Sequence, residues 1–108
     1  MDYRKITAIV RAERLESIEQ ALQTHGIRGV SITRVKGYGE LINLNRDDWL
    51  EGHARIEIFT AKEHTDAIVQ LIMDAGSVGM AGDGIIAVLP VEQLYKIRTK
   101  QPAGTEEI

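Results

Sequence analysis

Between residues 76 and 84 the chain reads GSVGMAGDG, four glycines and an aspartate directly ahead of the apolar run IIAVLP. Glycine costs stability through lost backbone freedom, so a cluster of it gives the backbone itself a task. Glycines at this density admit positive φ angles, and successive N–H groups can then converge on one anion. Asp83, between Gly82 and Gly84, can brace such a loop by accepting backbone N–H bonds. A plain turn is the competing reading, because Asp-Gly is common in turns and the loop lacks the GK[ST] of a P-loop. Two further segments favour anions: KGYG, Lys36 to Gly39, is a glycine-flanked bend, and KIRT, Lys96 to Thr99, supplies the cations Lys96 and Arg98. Three such segments in one small domain are harder to dismiss than one.

Other chemistries find less support. No Ser-His-Asp set and no pair of buried carboxylates can be placed, so the chain is not read as an enzyme. DDWLEGH offers Asp47, Asp48, Glu51 and His53 to a divalent metal, but without helical His spacing, and solvated loop charges explain it more simply. His25 and His64 read as a helix end and a helix start.

The elements that must carry these residues follow from periodicity. RKITAIVR, residues 4 to 11, alternates, with Ile6, Ala8 and Val10 on one side and Lys5, Thr7 and Ile9 on the other. Leu15, Ile18, Ala21 and Leu22 share one helical face, and Gly26 suits a left-handed cap. GVSITRVK, residues 29 to 36, is a second strand, and Gly37 to His53 breaks every period and reads as a long loop. ARIEIFT, residues 54 to 60, alternates again, and Thr60 with Glu63 carries a capping-box signature. The next helix shows Ala67, Ile68, Leu71, Ile72 and Ala75 on one face. IIAVL is apolar on both sides and so expected at the centre of a sheet. VEQLYKIRT is a short turn or helix, and residues 100 to 108 a polar, flexible tail.

The order is β-α-β-β-α-β, the ferredoxin-like arrangement of the α+β class, with two helices on one face of a four-stranded antiparallel sheet. The other face stays open in a monomer, yet Ile9, Val88 and their neighbours leave it partly apolar, which predicts an oligomer. At 108 residues one domain is expected. A net charge of −3 with scattered basic residues argues against nonspecific nucleic-acid binding, which needs a concentrated positive face. The absence of cysteine excludes disulfides and thiolate metal sites. No apolar run nears the roughly 20 residues of a membrane span and no signal-peptide pattern opens the chain, so a cytoplasmic protein without membrane insertion is expected.

VKGYG after the second strand, GDG before the last core strand and VLPVEQLYKIRT after it resemble the PII signal-transduction proteins, the nitrogen-regulatory family. The pattern GDGxIxVxPVExxxxIRT holds from Gly82 to Thr99, and the likeness runs over residues 4 to 99, interrupted at the long loop. The resemblance implies a homotrimer of ferredoxin-like subunits, residues 1 to 99, binding adenine nucleotides in clefts between neighbours. It implies that Ser31 bonds adenine, that Phe59 contributes backbone contacts beside the base, and that Gly82, Asp83 and Gly84 in a B-loop, residues 76 to 84, cradle phosphate. Lys96 and Arg98 would reach phosphates, and Gly37, Tyr38 and Gly39 would open the third wall. The loop of residues 37 to 53 would be the T-loop that contacts a target protein.

Departures from the family pattern sharpen these expectations. The lysine that follows GDG in nitrogen-sensing members is Ile85 here, and the usual Arg-Gln after GxG is Glu40 and Leu41. An acid near a triphosphate repels it and isoleucine supplies no charge, so ADP or AMP is expected to bind better than ATP, with no obligate metal. The T-loop lacks the tyrosine-bearing stretch of enteric relatives and carries Asn43, Asn45, Asp47, Asp48 and Trp49 instead, with Glu40, Leu41, Asn43, Asp47 and Trp49 the expected partner contacts. It is similar to a divergent branch with a GYGE…DW…H loop, whose genes neighbour metal-efflux and inorganic-carbon genes, so the target is expected to be a transporter for carbon, metal or nitrogen. Lys36 and Arg55 could hold a second small anion such as bicarbonate, with ordinary salt bridges as the competing reading. The rival to a nucleotide-binding regulator is a trimeric metal-binding or metal-tolerance module.

Overall fold

Alternation along β1, Tyr3–Arg11, buries Ile6, Ala8 and Val10 while their neighbours stay half-exposed, as the sequence pattern predicts. The computed structural model describes residues 2–35 and 52–104, with the backbone alone at residue 35. After β1 a turn of 3-10 helix leads into α1, Leu15–Thr24, followed by β2, Val30–Val35. Next come β3, His53–Ala61, a second 3-10 turn, α2, Thr65–Gly76, and β4, Gly84–Val91. The strands form one antiparallel sheet in the order β2-β3-β1-β4, the ferredoxin-like arrangement, with both helices on the same side.

The core lies between that side and the helices. Ile6, Ala8 and Val10 of β1 pair with Ile58, Ile56 and Ala54 of β3, and Ile18, Leu22, Ile68 and Ile72 cover them. The helix ends are locally specified. Gly26 at φ 76° closes α1, with Ile27 N–H bonding Leu22 O at 2.9 Å and Gly26 N–H bonding Gln23 O at 3.0 Å, both hydrogen bonds of a Schellman cap. Arg14 Nε donates to Ala75 O at 2.9 Å and ties the start of α1 to the end of α2.

Four details differ from the sequence expectation. β4 is an edge strand of the single chain, not a central one, and its side chains are correspondingly open: Ile85, Val88 and Leu89 are all exposed. Val88 pairs with Ile6 and so belongs to the helix side; the apolar positions of the open side are Ile9, Ile85, Leu89 and Phe59. Thr60 does not cap α2, because it sits buried in β3 and its hydroxyl bonds Ala61 O while the chain turns through Lys62–His64 before α2 begins. Ala67 is exposed, and Val69 packs on the core in its stead.

Among the described residues the chain after β4 is a small hairpin: the segment read as a short turn or helix is a turn, and residues 100 to 104 are not a free tail. Tyr95–Lys96, β5, pairs with Gln101–Pro102, β6, and Ala103 N–H bonds Leu94 O at 2.8 Å. Ala103 is buried and its carbonyl accepts from the Tyr3 hydroxyl, so the hairpin is docked on the end of β1. Composition misled here: KQPAG is polar, but one alanine and a distant tyrosine suffice to hold it.

Candidate functional site

The loop between α2 and β4 is wound around its own aspartate. Asp83 accepts from the backbone N–H groups of Val78, Gly79 and Met80, at 3.2, 2.9 and 3.3 Å, and from Ser77 Oγ at 3.1 Å. Arg11 Nε completes the set at 2.9 Å from Asp83 Oδ1. That guanidinium, followed by the amides and the hydroxyl, holds the Asp83 carboxyl well below the usual carboxylate range. The expected nest of amides around an anion therefore exists, but Asp83 itself occupies most of it. The N–H groups of Ala81 and Gly82, at the tip, have no acceptor among the described residues.

The glycine that opens β4 is dictated by backbone contact. A Cβ on Gly84 would lie 1.8 Å from Ile9 O, and φ there is 109°. Here the strand enters the sheet against β1 with no room for a side chain. Part of the glycine signal thus belongs to the fold and not to a ligand.

Arg11, which the sequence reading did not single out, and His53, which it weighed only as a metal ligand, hold the loop. Arg11 and His53 face each other across β1 and β3. Arg11 Nη2 donates to Ala81 O at 2.9 Å, and His53 Nε2 lies 3.1 Å from Gly82 O. A carbonyl only accepts, so the proton sits on Nε2. His53 is buried and begins β3 instead of ending the preceding loop, and its Nε2 bonds the loop carbonyl; Asp47, Asp48 and Glu51, weighed with it as metal ligands, fall outside the described residues. Among the described residues no group of three potential metal ligands occurs. Arg11 and Asp83 stand 72 positions apart in sequence, so no local pattern could have joined them. An open, mostly apolar groove of about 370 Å³ runs beside the loop, bordered by Ile9, Met73, Ser77 and Ile85.

The remaining expected site residues lie elsewhere on the sheet. Ser31, on β2, pairs with Glu57, and Phe59 follows on the same open side of β3, half-exposed, with Lys5 Nζ 5.9 Å from its ring centroid. Arg55, on that side too, stands 3.9 Å from Glu57 Oε1, and its Nε is buried without a hydrogen-bond partner among the described residues. Glu57 is held below its ordinary pKa mainly by its hydrogen bond with Lys5, at 2.6 Å. Lys96 and Arg98 belong to the C-terminal hairpin. Lys36, Gly37, Tyr38, Gly39, Glu40, Leu41, Asn43, Asp47 and Trp49 fall outside the described residues.

One chain does not bring these groups together. Gly84 and Val91 terminate opposite ends of β4, about 23 Å apart at the usual rise per strand residue. The Asp83 loop lies at one end and the hairpin with Arg98 at the other, next to Tyr3 and toward Phe59. Ser31 is on the far edge strand, three strand spacings or about 14 Å from β4.

Comparison with known proteins agrees with the fold. Residues 3–101 match the family model described as nitrogen regulatory protein P-II. The nitrogen regulatory protein P-II of Cyanidium caldarium is 34% identical over 105 residues, covering 91% of this chain and 93% of that protein. That of Cereibacter sphaeroides is 34% identical, covering 89% and 92%. Among solved structures, Arabidopsis thaliana PII bound to citrate superposes with a TM-score of 0.79 at 32% identity, covering 94% of this chain and 89% of that one.

Proposed function

Because this chain belongs to the nitrogen regulatory protein P-II family, whose members are regulatory signalling proteins, we propose that it is a regulator that binds ADP or AMP between the subunits of a homotrimer. The observation that carries the reading is the division of the expected contacts between opposite ends of the sheet. One subunit offers Ser31, Phe59, Lys96 and Arg98, and its neighbour offers the tip of the Gly82–Gly84 loop. An open sheet side with Ile9, Ile85, Leu89 and Phe59 partly exposed favours such an assembly. Two outward amides and two cations suit a phosphate group, and a relative of the same fold solved with citrate is in keeping with an anion site.

Preference for ADP or AMP follows from Ile85 and Glu40, which add no cation where a third phosphate would lie. Lys36 and Arg55 would hold a second small anion such as bicarbonate. Nucleotide would order residues 37 to 53 and so control a target protein, of which a membrane transporter is the leading candidate. A coupling of about 1–3 kcal/mol between nucleotide and loop state would be typical of such a switch.

Calorimetric titration with ADP, AMP and ATP, alongside sedimentation to count subunits, tests the proposal. Saturable ADP and AMP binding to a trimer, with ATP weaker, is the expected result. Tightest binding for ATP contradicts the role given to Glu40 and Ile85, and a monomer that binds no nucleotide overturns the whole reading.

A further inference from the structure

Arg11 and His53 are not explained by core packing. Each stands at the terminus of a strand, each is largely withdrawn from solvent, and each bonds the same three-residue tip. Arg11 grips Ala81 O and Asp83, and His53 grips Gly82 O. A trans peptide is planar, with its C=O and the following N–H pointing in opposite directions. Drawing the Ala81 carbonyl inward onto Arg11 therefore turns the Gly82 N–H outward. Drawing the Gly82 carbonyl onto His53 fixes the next peptide, whose N–H closes the turn onto Met80 O at 3.2 Å. The loop backbone also approaches the guanidinium closely, since a Cβ on Gly82 would come within 3.2 Å of Arg11 Nη2. His53 Nδ1 is buried and unpaired among the described residues, a penalty a purely space-filling residue would avoid.

The geometry points to Arg11 and His53 as a cross-strand clamp: positioning residues that aim the Gly82 amide at the phosphate of the bound nucleotide. This rests on the nucleotide reading above for the identity of the anion, though not for the clamp itself. Neither side chain need touch the ligand; both act by fixing which way two peptide planes face.

The test compares wild type with His53→Ala and His53→Gln. Glutamine places an N–H donor close to the position of imidazole Nε2 but cannot be protonated, so it can keep the bond to Gly82 O. His53→Ala should weaken ADP binding about tenfold, the loss of one well-aimed hydrogen bond to a charged group, and His53→Gln should restore it to within about threefold of wild type. If His53→Ala does not fold, Arg11→Lys replaces it, since one ammonium can pair with Asp83 but cannot also hold Ala81 O in the same geometry; the same tenfold loss is expected. Equal ADP affinity in all variants, or a glutamine variant as weak as the alanine one, overturns the clamp.

Failure of the nucleotide reading looks different: wild type itself then binds no ADP. The clamp is judged in that case by amide exchange in the unliganded protein. Protection of the Asp83 N–H must fall at least about tenfold in His53→Ala, or in Arg11→Lys if the alanine variant does not fold, and recover in His53→Gln; unchanged protection overturns it.

Discussion

The loop before β4 and the hairpin after it stand at opposite ends of one strand and are built on opposite plans. The Asp83 loop is braced from within: amides, a hydroxyl and a guanidinium converge on one carboxylate, and two side chains from β1 and β3 pin its carbonyls. The hairpin is pinned at its base by Tyr3 and Ala103, while its tip carries Ile97 at 94% exposure and Arg98 with no partner among the described residues. A preorganised group gains affinity because its ordering cost was met during folding. An exposed isoleucine beside cations that have no partner among the described residues gains nothing until something covers it. One half of the proposed site is thus finished within the chain, and the other half is presented outward. Substitutions in the two regions should fail in different ways.

The largest effect is expected where the loop enters the sheet. Gly84→Ala forces a methyl carbon into the space of Ile9 O, 1.8 Å away, at a positive φ. Neither backbone can yield without breaking the β1–β4 ladder, so a loss of about 3 kcal/mol or more in unfolding free energy is expected. Urea or thermal denaturation measures it, with a fall in Tm above about 12 °C. A near-neutral variant would mean that β4 does not seat against Ile9 as described.

Next comes the carboxylate. Asp83 is depressed in the folded state, chiefly by Arg11, so its contribution is fully present above the ordinary aspartate range and is lost only as pH falls through the lowered folded value. Amide protection at Val78 and Gly79, corrected for intrinsic exchange, should stay flat from pH 7 to about pH 5 and decline below about pH 4. Asp83→Asn should lower that protection at pH 7 and remove the acid decline. A decline that persists in the asparagine variant would assign it to some other carboxylate.

What the residue pattern could reveal divides along the same line. Alternation in β1 and β3 and the 3.6 period in both helices made the fold legible, because burial of one face imposes them directly. The bracing role of Asp83 was legible too, since an aspartate between glycines has nearby amides to bond. Arg11 and His53 were not, because their partners are set by the β1–β3 register and by a loop 29 or more residues away. β4 misled for a physical reason: a strand apolar on both faces reads as central in one chain, but the same pattern suits an edge strand in an assembly such as the proposed trimer, where a second copy would cover it. The hairpin misled because one buried alanine carbonyl and one tyrosine hydroxyl hold it, and neither stands out in a polar stretch.

The smallest expected effect on stability, and the sharpest contrast, lies at the hairpin tip. Arg98 and Ile97 are exposed, so truncating either to alanine removes little that the single chain buries, and unfolding free energy measured on the dissociated chain should change by no more than about 0.5 kcal/mol. Their consequences should then separate by chemistry. Arg98→Ala removes a charge-assisted donor to phosphate and should weaken ADP about tenfold while leaving subunit association intact. Ile97→Ala removes only apolar surface, so any cost should appear in the subunit dissociation constant before it appears in the nucleotide titration. Equal ADP affinity for wild type and Arg98→Ala would remove Arg98 from the site and leave Lys96 as the hairpin's only claim on the phosphate.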